Sequence, residues 1–153
     1  YLAGGGLPAV PIADRVHFAG RLDHGELTAL LPAAEAMAVP STKPEAFGMV
    51  AAEAAACGAL PVVADHSGLG EVARTLREVV PAEARGWLSF EPGPTAVVEL
   101  ADALSGWLGT SEDVRERTRA AIVAETRERY SWDGVARTII AAGRGELDIL
   151  PTV

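Results

Sequence analysis

Short β-branched runs alternate with Ala- and Leu-rich stretches over residues 1–90, the pattern of βα units built on a parallel sheet. Leu2-Ala3 running into Gly4-Gly5-Gly6 reads as the end of a strand entering a turn, and residues 15–19, closed by Gly20, read as a second strand. A short helix is predicted over 26–31, with Pro32 at its end because a helix interior could not accept it. Residues 36–39 form a third strand stopped by Pro40. Residues 48–57 form a very Ala-rich helix with Gly58 as its C-terminal stop. The unbroken apolar run 60–64 predicts a strand buried on both faces. A helix over 70–78 and a short strand over 87–90 follow. Then the alternation ends, and residues 95–108, 112–129 and 132–143 read as three consecutive helices. Thr95 caps the first and Ser111, backed by Glu112 and Asp113, the second. The predicted fold is therefore α/β: a Rossmann-like parallel sheet with helices on both faces, ending in about three consecutive helices.

Composition narrows the function. The chain has 153 residues, 49% of them hydrophobic, enough to bury one core of ordinary size. Its formal charge is −8, and no basic block exceeds two residues, which excludes a nucleic-acid binder. The Arg residues of 112–129 alternate with Glu at helical spacing, so that helix reads as charged and solvated. No apolar run reaches the ~18 residues of a transmembrane segment. Cys57 is the single cysteine, and no His, Asp or Glu pair has metal-ligand spacing, so no metal or other cofactor is expected.

The stretch from Pro40 to Glu53 carries the chemistry. It leaves the C-terminal end of a parallel strand and opens a helix, the place where open α/β sheets bind ligands. Gly48 lets a ligand approach the backbone, and the first turn, residues 48–51, offers unpaired N–H groups and a positive dipole end. A diphosphate suits such a site. In an acidic chain with one lysine, Lys43, its attraction must come from local groups. Glu45 and Glu53 can border one cleft and accept hydroxyl hydrogen bonds, or each can be an ordinary solvated residue. The small apolar residues around Glu53 predict a buried helix, in which a carboxylate needs a partner.

The order Val16-x-Phe18-x-Gly20, Val39-Pro40-Ser41, Glu45-x-Phe47-Gly48, Glu53-Ala54-x-Ala56-x-Gly58 and Pro61-Val62-Val63-Ala64 resembles family 4 of the retaining GT-B glycosyltransferases. Gly68-Leu69-Gly70-Glu71-Val72 is similar to that family's glycine-rich loop, and Ser131-Trp132-Asp133 to its late S/T-W-D helix start. The resemblance spans nearly the whole chain and corresponds to the C-terminal, donor-binding half of a two-domain enzyme. It implies a bacterial, hexosyltransferase-type enzyme that transfers a glycosyl group from a UDP-, GDP- or ADP-linked sugar with retention and without a metal. It further implies that Glu45 acts as the catalytic residue by holding donor-sugar hydroxyls. Phe47, Gly48, Met49 and Val50 would bring backbone N–H groups to sugar and diphosphate, Glu53 would accept ribose hydroxyls, and Arg21 and Leu22 would border the base. Residues 1–143 would then form the nucleotide-sugar-binding domain and 144–153 a tail.

The family's preceding strand and helix, bearing G-R…K-G, would lie before Tyr1, as would the acceptor domain. The chain is thus expected to be an N-terminally truncated domain, inactive alone. The whole enzyme would be cytoplasmic, peripheral at the inner membrane face if its other domain binds there. His66 either reaches the donor cleft or is a loop histidine. His17 and His24 carry no site signature, and Ser41 and Ser67 sit in no nucleophile elbow. Trp87, Trp107 and Trp132 are expected to be packing anchors. Rival readings are a nucleotide-sugar epimerase or phosphorylase of the same fold, or a non-catalytic nucleotide-binding or assembly module.

Overall fold

The computed structural model describes residues 15–146 and 148. Three parallel strands, β1 (Ala36–Val39), β2 (Leu60–Ala64) and β3 (Ser89–Phe90), form one sheet in the order β1-β2-β3. Ala36 to Val39 of β1 pair with Leu60 to Val63, and Val63 and Ala64 pair with Ser89 and Phe90. Every residue of β2 is buried, so both faces of the central strand are covered.

Six α-helices connect and cover the strands: α1 (His24–Leu30), α2 (Met49–Ala56), α3 (Ser67–Val79), α4 (Ala96–Gly109), α5 (Glu112–Tyr130) and α6 (Trp132–Gly143). Asp23 and Glu26 close a reciprocal capping box on α1, and a 3₁₀ turn containing Pro32 ends it. Helix α2 packs on β1 and β2 through Ala51, Ala52, Ala54 and Ala55, whose small side chains also let α5 lie close. Helix α3 turns Leu69, Val72, Ala73 and Leu76 onto β2. The core is the cluster of these residues with Leu60, Val62, Val63, Leu88, Phe90, Trp107 and Ile122.

The predicted elements differ from the structure at five places. Residues 15–20 form no strand: Phe18 is 86% exposed, and among the described residues the alternating pattern has no ladder to join. The predicted strand end at 2–3 lies outside the described residues. Helix α3 starts three residues before Gly70, because Gly68, packed on the Phe47 backbone, and Gly70, packed on the Asp65 and Arg74 side chains, are held by close contacts that override their low helix propensity. Strand β3 shrinks to two residues, since 82–87 coil into 3₁₀ turns that aim Trp87 at Trp107. Thr95 does not cap α4: its hydroxyl is used by Glu99. Trp87 and Trp107 are packing anchors, but Trp132 is 88% exposed because it opens α6 just past the α5–α6 corner.

Helix α5 carries the expected ion pairs, Arg115 with Glu112, Arg117 with Asp113 and Arg129 with Glu125. Its inward stripe is Val114, Thr118, Ile122 and Thr126, at a spacing of four. The buried threonine hydroxyls donate back to the carbonyls of Val114 and Ile122, which removes their cost. Two threonines in four positions hide this stripe from a hydrophobicity pattern.

Trp107 ties the base of the sheet together. It is fully buried, its indole N–H donates to the Glu35 carbonyl at 2.8 Å, and Arg119 lies 5.8 Å from its ring centroid while pairing with the Glu35 carboxylate. Trp107→Phe keeps most of the apolar contact but removes one of the two donors to that carbonyl, which keeps the Leu60 N–H at 3.1 Å. The lost hydrogen bond and the space left by the smaller ring are expected to cost about 1–3 kcal/mol in denaturant unfolding; a change below about 0.5 kcal/mol, the surface range, would contradict this role.

Glu99 generates a second prediction. The Thr95 hydroxyl donates to its carboxylate at 2.7 Å and the Glu91 N–H at 2.9 Å, and these bonds, the hydroxyl first, hold its carboxyl below the ordinary range. A folded-state pKa below the unfolded one stabilises the fold above the unfolded pKa, and that contribution is lost as pH falls through the folded pKa. Thr95→Val should raise the Glu99 titration midpoint, read by carboxyl NMR, and flatten the acid-side fall in stability. An unchanged midpoint would show that the hydroxyl is not the cause.

Candidate functional site

The loop from Pro40 to Gly48 leaves the C-terminal end of β1 and hands the chain to α2. Gly48 is the N-cap of α2 with φ +80°, the left-handed region that favours glycine, and it offers no side chain to cap the helix. A Cβ there would lie 2.9 Å from Leu69 Cδ2 and 3.1 Å from Leu69 Cα. The Ala51 and Ala52 N–H groups bond to the Gly48 carbonyl, so the helix begins there. The amides of Met49 and Val50 precede the first intrahelical bonds and sit at an exposed end of the macrodipole. The helix start thus falls where the sequence predicts it, with a terminus of the kind that can receive an anion.

A second junction, between β2 and α3, holds this loop in position. Gly68 packs so closely on Phe47 that an added Cβ would lie 2.5 Å from three of its backbone atoms. The Gly68 N–H donates to the Glu45 carbonyl at 3.0 Å, and the Glu45 N–H donates to Ser67 Oγ at 3.0 Å. Ser67 has φ +49°, a left-handed conformation that a non-glycine adopts at some cost. His66 completes the set: Nδ1 lies 3.0 Å from Ser67 Oγ and Nε2 lies 2.9 Å from the Ser41 carbonyl. The Ser41 hydroxyl in turn donates to the Lys43 carbonyl at 3.0 Å, while the Lys43 side chain stays exposed.

The face of α2 that carries Met49, Ala52, Glu53 and Ala56 borders a groove of about 320 Å³. Its other wall comes from Phe47 and from Thr126, Arg127, Tyr130, Ser131 and Trp132 at the α5–α6 corner. Phe47 and Tyr130 meet edge to face at 5.1 Å, and Tyr130 reaches Thr75 of α3. The corner is tight: Ser131 caps α6 by accepting the Gly134 N–H, and a Cβ on Gly134 would lie 2.0 Å from the Glu128 carbonyl oxygen. Glu53 is half-buried on the groove wall, so its carboxylate is placed to accept hydrogen bonds from a hydroxylated guest.

Of the residues singled out in the sequence, the structure brings Glu45, Phe47, Gly48 and His66 into one cluster of contacts, and Phe47, Met49 and Glu53 into one groove. Val50 lies beside them, 40% exposed. Arg21 and Leu22 line a different hollow, of about 410 Å³, with Asp23, His24, Glu26 and Leu27. Sequence reasoning missed Ser41 and Ser67 as loop ties, because their partners lie 22 to 25 positions away along the chain. It also missed the groove wall formed by Tyr130 and Trp132; an aromatic pair flanking a helix-starting serine was the available signal. Among the described residues, no three His, Cys, Asp or Glu side chains cluster as a metal site, and no helix is long and apolar enough to cross a membrane.

Residues 9–121 match the family described as "Glycosyl transferases group 1". A glycogen synthase of Mycobacterium tuberculosis is 38% identical over 133 residues, covering 84% of this chain and 29% of its own length. A D-inositol 3-phosphate glycosyltransferase of Xylanimonas cellulosilytica is 34% identical over 129 residues, covering 84% of this chain and 28% of its own. A phosphatidyl-myo-inositol mannosyltransferase of Mycobacterium tuberculosis is 32% identical over 129 residues, covering 84% and 32%. The chain therefore spans about three-tenths of the length of these relatives. No solved structure matches it. With the family match extending over most of its residues, the chain belongs to the group 1 glycosyltransferases.

Proposed function

We propose that this chain is the donor-binding part of a retaining GT-B glycosyltransferase of hexosyltransferase type, taking a nucleoside-diphosphate sugar. The observation that carries the reading is the uncapped start of α2 on Gly48, at the C-terminal end of β1, beside two carboxylates with different surroundings. The diphosphate sits on the Met49 and Val50 amides. Glu45, on the loop, meets the sugar hydroxyls, and Glu53, on the groove wall, accepts those of the ribose. Arg21 and Leu22 border the base. No resident metal is required: the helix terminus stabilises charge on the departing diphosphate as the glycosidic bond breaks, an electrostatic contribution that grows toward the transition state. The acceptor is bound by a separate domain, which also decides any membrane association.

Calorimetric titration of the chain with UDP, GDP and ADP tests the reading. One of the three is expected to bind. Glu53→Ala should weaken it by about 5–150-fold, the loss of charge-assisted ribose hydrogen bonds worth roughly 1–3 kcal/mol. Absence of binding at millimolar concentration would favour a non-catalytic module, and wild-type affinity in Glu53→Ala would remove the ribose assignment.

A further inference from the structure

We propose that His66 is a positioning residue: an imidazole whose neutral form carries its hydrogen on Nε2 and that ties the loop bearing Glu45 to the start of α3. The hydrogen bonds select this tautomer. Nε2 faces the Ser41 carbonyl at 2.9 Å, and a carbonyl only accepts, so Nε2 carries the proton. Nδ1 faces Ser67 Oγ at 3.0 Å, and that oxygen already accepts the Glu45 N–H. The Ser67 hydroxyl then gives its own hydrogen to unprotonated Nδ1, and every polar atom of the set has a partner. The chain of bonds runs from the Ser41 carbonyl through the ring and Ser67 Oγ to the Glu45 amide, and so spans both ends of the 41–45 segment.

Two further observations make this a device rather than a surface contact. Ser67 holds φ +49°, and that strained conformation puts its hydroxyl between His66 and Glu45. Gly68 then lets the same junction press on the Phe47 backbone and receive the Glu45 carbonyl. Glu45 is gripped at both its N–H and its C=O, while its side chain is left for a guest. His66 therefore acts through Glu45 and touches no substrate. Diphosphate binding depends instead on Gly48 and the α2 amides, which are braced by Leu69. The functional part of this assignment rests on the donor-sugar role proposed for Glu45; the tautomer does not.

Two measurements on the full chain test it. Long-range ¹H–¹⁵N spectra above neutral pH should show the His66 ring with a protonated Nε2 and an unprotonated Nδ1. The opposite tautomer would overturn the proposal. Binding of UDP-glucose is then compared with UDP, GDP-mannose with GDP, and ADP-glucose with ADP. In His66→Ala the sugar's contribution to affinity should fall about fivefold or more, the loss of one hydrogen-bonded tie, while the nucleoside diphosphate alone binds nearly as before. His66→Gln, which keeps a donor near the position of Nε2, should restore part of the loss. The double variant His66→Ala/Glu45→Ala should lose no more than Glu45→Ala alone. Equal weakening of nucleotide and nucleotide sugar, or additive losses in the double variant, would make His66 merely structural. Should none of UDP, GDP and ADP bind the wild type, the donor-site reading fails. The tautomer and the Glu45 amide still decide the tie, which is contradicted if that amide exchanges equally fast in wild type and His66→Ala.

Discussion

The contact between two glycine-bearing junctions, Gly48 against Leu69 and Gly68 against the Phe47 backbone, is the constraint on which the rest of the site depends. Neither glycine leaves room for a Cβ, so the β1–α2 loop and the start of α3 approach at backbone distance. At that distance main-chain groups and short side chains can bond across the junction, and Ser41, Ser67 and His66 do so. The approach also leaves Gly48 as a cap without a side chain, which keeps the first amides of α2 free for an anion. Close packing and an open binding terminus have the same origin.

That contact is possible because the layer beneath it is made of small residues. Helix α2 buries four alanines, so its axis can lie near β1, β2 and α5 at once. On the far side of the helix the α5–α6 corner, tightened at Gly134, sets Tyr130 and Trp132 along the groove that Glu53 borders. In the proposed reading the same helix presents its dipole end to one part of the donor and a carboxylate, one turn later, to another. A rigid scaffold of this kind suits a site that works by fixed dipoles, because preorganised donors need not reorient as charge develops.

The βα order, the buried β2, the Ala-rich α2 and the three closing helices were legible in the sequence because each is a local pattern of period and punctuation. So was the course of the Glu45-to-Glu53 segment, since a strand end, a glycine and a helix start within fourteen residues define a strand–loop–helix junction. The failures share a different cause. Residues 15–19 have strand composition, but pairing is a property of the neighbour and not of the segment. Ser41, His66 and Ser67 meet only because two loops are pressed together, and no spacing rule connects them. Thr118 and Thr126 hide the inward stripe of α5, their polarity being cancelled by bonds back to the helix itself.

Backbone amide shift mapping during titration with the nucleotide that binds tests the central claim most directly, that the start of α2 is the phosphate site. The account predicts that the largest changes fall on the Met49 and Val50 amides, with smaller ones at Glu53 along the groove and at Arg21 and Leu22 beside the base. Changes centred on residues 21–27, with the first turn of α2 unmoved, would contradict it.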